Sequence, residues 1–209
     1  AFSVLPALLN LGLLVTDGYG MRFHRINSNS SPATDNGTAG ILPVKDCRRA
    51  PRIMQGNATM NPDAGAVEFS QYTVVNSNAT GAGSFANAVS QVNANATPAP
   101  YYIDFIIPAP TPILLGATLT INNPVIIDGY IQSGSQIGGP GNVLNSLTSL
   151  TPIIILDGSG ATTNGIILGN TAINSFISGL NIHGFVNNGI VIGGASGCKI
   201  HGNMVHSNG

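Results

Sequence analysis

The chain has 209 residues, of which 43% are hydrophobic and only 7% charged, with 27 glycines, no tryptophan and a formal net charge of -1. That apolar fraction excludes an intrinsically disordered chain, and the near-zero charge excludes the basic footprint of a nucleic-acid binder. Two cysteines, Cys47 and Cys198, make no metal motif; a disulfide between them stays open, and they leave the redox compartment unassigned.

Ala1 to Val15 is apolar, but it has no basic residue before it and carries Pro6, Asn10 and Gly12. It is also shorter than the roughly 20 residues that a membrane-spanning helix needs, so neither a signal-peptide core nor a span is expected. Most of the charge lies in the first 70 positions, including Arg22, Arg25, Arg48, Arg49 and Arg52 with Asp35, Asp46, Asp63 and Glu68. Ion pairs and solvated surface are the expectation for them, with an anion-binding cleft as the functional alternative for the arginines. Gln71 to Val75 is a short β-rich run. Residues 84–96 carry the one helix signal: Ser84 is a candidate N-cap, Phe85, Ala88, Val89, Val92 and Ala96 mark one face, and Pro98 and Pro100 stop the helix. It would form a lid over the first of the strands that follow.

Those strands are expected at Tyr102–Ile107, Leu119–Ile121, Val125–Gly129 and Ile153–Gly158, separated by proline- and glycine-rich turns, with Ser133–Ser149 as a surface loop. From Thr163 onward the sequence repeats. Asn164–Gly169 recurs as Asn188–Gly193, an offset of 24, and Ile177-Ser178-Gly179 recurs as Ile200-His201-Gly202, an offset of 23. Apolar residues alternate within each copy, and a period in the twenties built of strands and turns predicts an all-β parallel β-helix solenoid. Ile, Val and Leu would stack as interior columns from coil to coil, with Asn and Gly at the corners. A leucine-rich repeat is the rival, but it needs a helix or convex segment after each strand, whereas residues 183–200 offer a second strand at Gly189–Ile192.

Candidate chemistry is sparse. Asp104, Asp128 and Asp157, spaced 24 and 29 apart, could stack as an acidic ladder, and carboxylates within about 5 Å shift each other's pKa or hold a cation such as calcium. Against this, aspartate before glycine is a turn residue, and no partner base is visible. His183 and His206 are 23 apart and flank inward Ile182 and Val205, so both should face outward on adjacent coils, with His201 on a neighbouring strand. Two stacked imidazoles can share a metal, although exposed histidines usually do nothing. No cofactor is indicated, with calcium the one cation to consider.

Three stretches carry a resemblance. SGLNIHGFVNNGIVIGGASGCKIHGNMVHSNG, residues 178–209, resembles the right-handed parallel β-helix repeats of the pectate-lyase-like superfamily. IDGYIQSGSQ, residues 127–136, resembles the IDGYTQPGA signature of tandem modules in secreted bacterial surface and adhesin-like proteins, and GSFANAVSQVNAN, residues 83–95, is a charge-free version of their GSLRQAI-like opening helix. Pro6–Leu9, Asp17–Gly20, Ser31–Gly37, Asp46–Arg52 and Asp63–Glu68 follow the order of the family's closing segment (PLLGPLANNGG, SPAIDAG, D-x-x-G-x-PR, DIGAYE), with Thr34 and Asn36 replacing its usual Ile and Ala.

The resemblance implies that residues 1–70 close a preceding β-helix module and that 71–209 form a second, with coils over 101–209 and incomplete at its C-terminal end. It further implies a structural segment of a large secreted or cell-surface protein, a stalk, filament or adhesin without catalysis of its own. The alternatives are a carbohydrate-active enzyme, either a polysaccharide lyase or a glycoside hydrolase, and a glycan-binding module. Adjacent β-helix modules of the same or neighbouring chains, and surface glycans, are the expected partners; neither nucleic acid nor a membrane span is expected.

Overall fold

The computed structural model describes residues 10–17, 21–27, 30–34, 36–37, 46–47, 62–64, 67–70, 72–96, 100–135, 151–160 and 163–209. The closing-segment motif at 6–9, most of that at 46–52 and most of the 133–149 loop lie outside the described residues. The protein is mostly β, with parallel sheets and one α-helix among the described residues.

The first described elements are an antiparallel pair, β1 (Leu11–Thr16) and β2 (Arg22–Ile26). After β3 (Tyr72–Val74) comes α1 (Phe85–Ala94), then β4 (Tyr101–Phe105), β5 (Ile113–Leu114), β6 (Leu119–Ile121), β7 (Val125–Asp128) and a single 3-10 turn at Gly129–Ile131. The remaining strands are β8 (Ile154–Asp157), β9 (Asn164–Gly169), β10 (Phe176–Ser178), β11 (Leu180–His183), β12 (Asn188–Gly193), β13 (Lys199–Ile200) and β14 (Met204–His206). They form three parallel sheets with orders β3-β4-β7-β10-β13, β5-β8-β11-β14 and β6-β9-β12. Each pass of the chain visits the first, second and third sheet in turn, a β-solenoid-like arrangement. β12 fills the stretch where a leucine-rich repeat would need its convex segment.

The sequence repeat sets the register. Ile177 pairs with Ile200, Ile182 with Val205 and Asn188 with Asn164, at the offsets seen in the sequence. Side chains alternate across each strand, so like residues stack into columns: Ile103, Ile127 and Ile177 in the first sheet, Ile113, Leu156 and Ile182 in the second, Ile121 and Leu168 in the third. All are buried and belong to one continuous core. At the last pass the column opens: Val205 is 49% exposed, and it borders with Ile192 and Ile200 a groove of about 420 Å³.

The helix covers the other end. Ser84 Oγ accepts the Asn87 N–H at 3.1 Å, the expected N-cap, and Phe85, Ala88, Val89 and Val92 are buried against the first coil, with the Phe85 ring 5.6 Å from that of Phe105. Ala96, expected on the same face, lies beyond the Asn95 cap and is exposed, because the backbone turns extended there.

Corners are held by amides that reach back one coil. Asn203 Oδ1 accepts the Leu180 N–H at 3.0 Å while its Nδ2 donates to the Ile177 carbonyl at 2.8 Å, and Asn208 does the same for Phe185 and Ile182. Gly179 turns one corner at a φ of +74°, where an added Cβ would stand 2.5 Å from the Tyr130 nitrogen. Only glycine fits.

Candidate functional site

Asp104 sits on the outward face of β4, where alternation with inward Tyr101, Ile103 and Phe105 should leave it in solvent. It is instead fully buried. The β1–β2 hairpin lies over this part of the first sheet: Phe23 and Val67 pack with Tyr102 and Ile131, joined at the edge by Val15, Cys47 and Ile126. Arg25 of β2, itself 6% exposed, donates from Nη2 to Asp104 Oδ2 at 2.6 Å. Thr73 and Ser70 donate their hydroxyls to Oδ1 of the same carboxylate at 2.8 and 3.1 Å. A buried charge is tolerated when paired and hydrogen-bonded in this way.

The expected ladder forms only in part. Asp104 pairs in register with Asp128 of β7, but the next rung is Ser178 of β10. Asp157 belongs to β8 in the second sheet, because the long 133–149 insertion falls between it and Asp128 and displaces the 24-residue spacing. Asp128 accepts the Tyr130 N–H at 3.0 Å and Asp157 the Ser159 N–H at 2.8 Å, each closing a turn two residues on. Tyr130 is buried, its hydroxyl donates to the Gly202 carbonyl at 2.6 Å, and its phenol is pushed up to about 12, by burial first and by the negative charge of Asp128 second.

The outer face of the second sheet holds the other candidates. Asp157, His183 and His206 stand in register on β8, β11 and β14. The two imidazoles stack with centroids 5.2 Å apart and planes at 25°. Hydrogen bonding from the Ser159 backbone chiefly, with a smaller contribution from nearby His183, holds the Asp157 carboxyl below its usual range. His201 lies elsewhere, stacked on Phe176 at 6.4 Å beside the first sheet. Among the described residues no group of three or more His, Cys, Asp or Glu side chains is placed to hold a metal ion.

The charged residues of 1–70 differ from expectation where they are described. Asp46, Asp63 and Glu68 are buried rather than solvated: Glu68 accepts the Asp63 N–H at 3.1 Å and Asp46 accepts the Glu68 N–H at 3.0 Å. Arg22 is exposed and Arg25 forms the buried pair, so these two do not converge on one cleft; Arg48, Arg49 and Arg52 lie outside the described residues. No disulfide joins Cys47 to Cys198. Among the described residues no helix is long and apolar enough to cross a membrane.

No protein-family model matches the chain, and no curated protein or solved structure matches it either.

What sequence reasoning missed is the Arg25–Asp104 contact. Its one local trace is an aspartate among aromatics in an otherwise apolar strand; nothing in the sequence points to a partner 79 positions away.

Proposed function

We propose that this chain is a structural segment of a secreted or cell-surface protein built of tandem right-handed parallel β-helix modules, serving as a stalk, filament or adhesin. The observation that carries this reading is how the best-placed carboxylate is used. Asp104 has no contact with solvent and is held by Arg25, Thr73 and Ser70, so it fastens a hairpin to the coils rather than facing a substrate. A general acid or base must come within hydrogen-bond reach of a substrate proton, which this position does not allow. The aliphatic columns and corner amides support the same reading, since they make a stiff rod from few charges. Neighbouring modules and surface glycans are the partners such a rod would meet.

Incubation of the intact chain with neutral and acidic polysaccharides tests it: neither reducing nor unsaturated ends should be released. Clear turnover would transfer the assignment to a carbohydrate-active enzyme.

A further inference from the structure

The outer face of the second sheet carries two imidazoles that the structural role does not use, with a carboxylate beside them. Parallel strands in register lie about 4.8 Å apart, so outward side chains at matched positions form a column. Here that column is Leu114, Asp157, His183 and His206. Asp157 and His183 are half-buried and His206 is exposed, so all three reach solvent. The His183 imidazole makes no hydrogen bond among the described residues. His206 holds only local contacts, Nε2 to Asn181 Oδ1 at 3.0 Å and Nδ1 to Ser207 Oγ at 3.2 Å. Asp157 Oδ1 is fixed by the Ser159 N–H, which orients the carboxylate.

We propose that His183 and His206 form a two-imidazole binding site for a divalent transition metal, with Asp157 beside His183 supplying negative charge rather than a bond to the metal. Metal–nitrogen bonds of about 2.0–2.1 Å place two tetrahedral nitrogen ligands about 3.4 Å apart. Rings centred 5.2 Å apart reach that separation when their edges turn toward one another. The movement required is rotation of the exposed His206 ring away from Asn181, which exchanges one surface hydrogen bond for a metal bond. Imidazole nitrogen is a preferred ligand of zinc, and water would complete the coordination of a two-imidazole site. The same pair disfavours calcium and magnesium, which take oxygen ligands. Because the two histidines lie in register on neighbouring strands, the ligands are spaced by the register rather than by a loop.

Titration calorimetry of the intact chain with zinc chloride tests this, with magnesium chloride as the control. One zinc per chain is expected and no magnesium heat. His183→Gln and His206→Gln should each weaken zinc binding tenfold or more, Asp157→Asn should weaken it less, and His201→Gln, on the other face, should leave it unchanged. Circular dichroism checks that each variant keeps the fold. Should one fail to fold, zinc protection of His183 and His206 against diethyl pyrocarbonate in the unaltered chain gives the same answer. Absence of saturable zinc binding, binding that survives both histidine substitutions, or unprotected histidines would overturn the proposal.

Discussion

Replacing Arg25 by methionine keeps most of the side-chain volume and removes the charge and the hydrogen-bond donors facing Asp104 and Thr73. The carboxylate that remains is fully buried and keeps the Thr73 and Ser70 hydroxyls as donors but loses the guanidinium. Breaking a buried pair from one side costs about 3–5 kcal/mol, against about 0–1 for an exposed pair. In a chain of this size that corresponds to a loss of about 6–20 °C in melting temperature. Asp104→Leu added to Arg25→Met removes the stranded charge, and the Thr73 and Ser70 hydroxyls keep backbone acceptors in the Ser70 and Tyr102 carbonyls. The double variant should therefore be more stable than Arg25→Met alone, a sign of coupling that no pair of independent surface sites gives. Urea unfolding is the assay, followed by the near-ultraviolet dichroism of the five tyrosines, one of which, Tyr102, lies in the same interface. If Arg25→Met costs less than about 1 kcal/mol, or the double variant is the weaker of the two, the hairpin is not fastened in this way and the structural argument fails.

Other positions should respond according to their surroundings. Gly179→Ala combines a left-handed backbone, costing about 1–2 kcal/mol, with a Cβ driven against the Tyr130 nitrogen, so a larger drop in urea midpoint than from the backbone term alone is expected. Ile182→Ala opens the interior column and should cost about 2–5 kcal/mol by the same assay, whereas Asp157→Asn, at a partly exposed turn, should stay within about 0.5 kcal/mol in metal-free buffer. Tyr130 ionises near pH 10 when unfolded and only at about 12 when folded. The folded state then holds the proton more tightly, so this contribution is present below pH 10 and is lost as pH rises toward 12; Tyr72 and Tyr101 are raised as well, and absorbance titration should show a phenol ionising toward pH 12 that Tyr130→Phe removes. Asp157 has the opposite sign: its folded carboxyl is the stronger acid, so its contribution is present at neutral pH and lost as pH falls through the acid range, and Asp157→Ala should flatten that part of the stability profile.

Much of the coil stack is legible in the sequence because a solenoid is close to one-dimensional. The 23- and 24-residue offsets translate directly into strand register, and His183 lies beside His206 for the same reason that Ile182 lies beside Val205. The helix is equally local: Ser84 caps it and its apolar spacing selects the buried face, while only its final turn is decided by the Asn95 backbone. Short elements were harder to see. The two-residue strand Ile113–Leu114 and the hairpin of residues 11–26 carry too few alternations to separate strand from loop.

What only the tertiary structure decided is where outward residues end up. Alternation places Asp104 on the outer face of its strand correctly, but burial there depends on a hairpin closing over it from 79 residues away, and no periodicity encodes a contact between two unlike segments. The separation of Asp128 from Asp157 has a similar cause. Their spacing approximates one repeat, yet a sheet assignment counts residues along the coil path, and one long insertion in the sequence is enough to move an aspartate from the first sheet to the second. Repetition thus fixes which residues stack, while non-repeating contacts fix which of those stacks meet solvent.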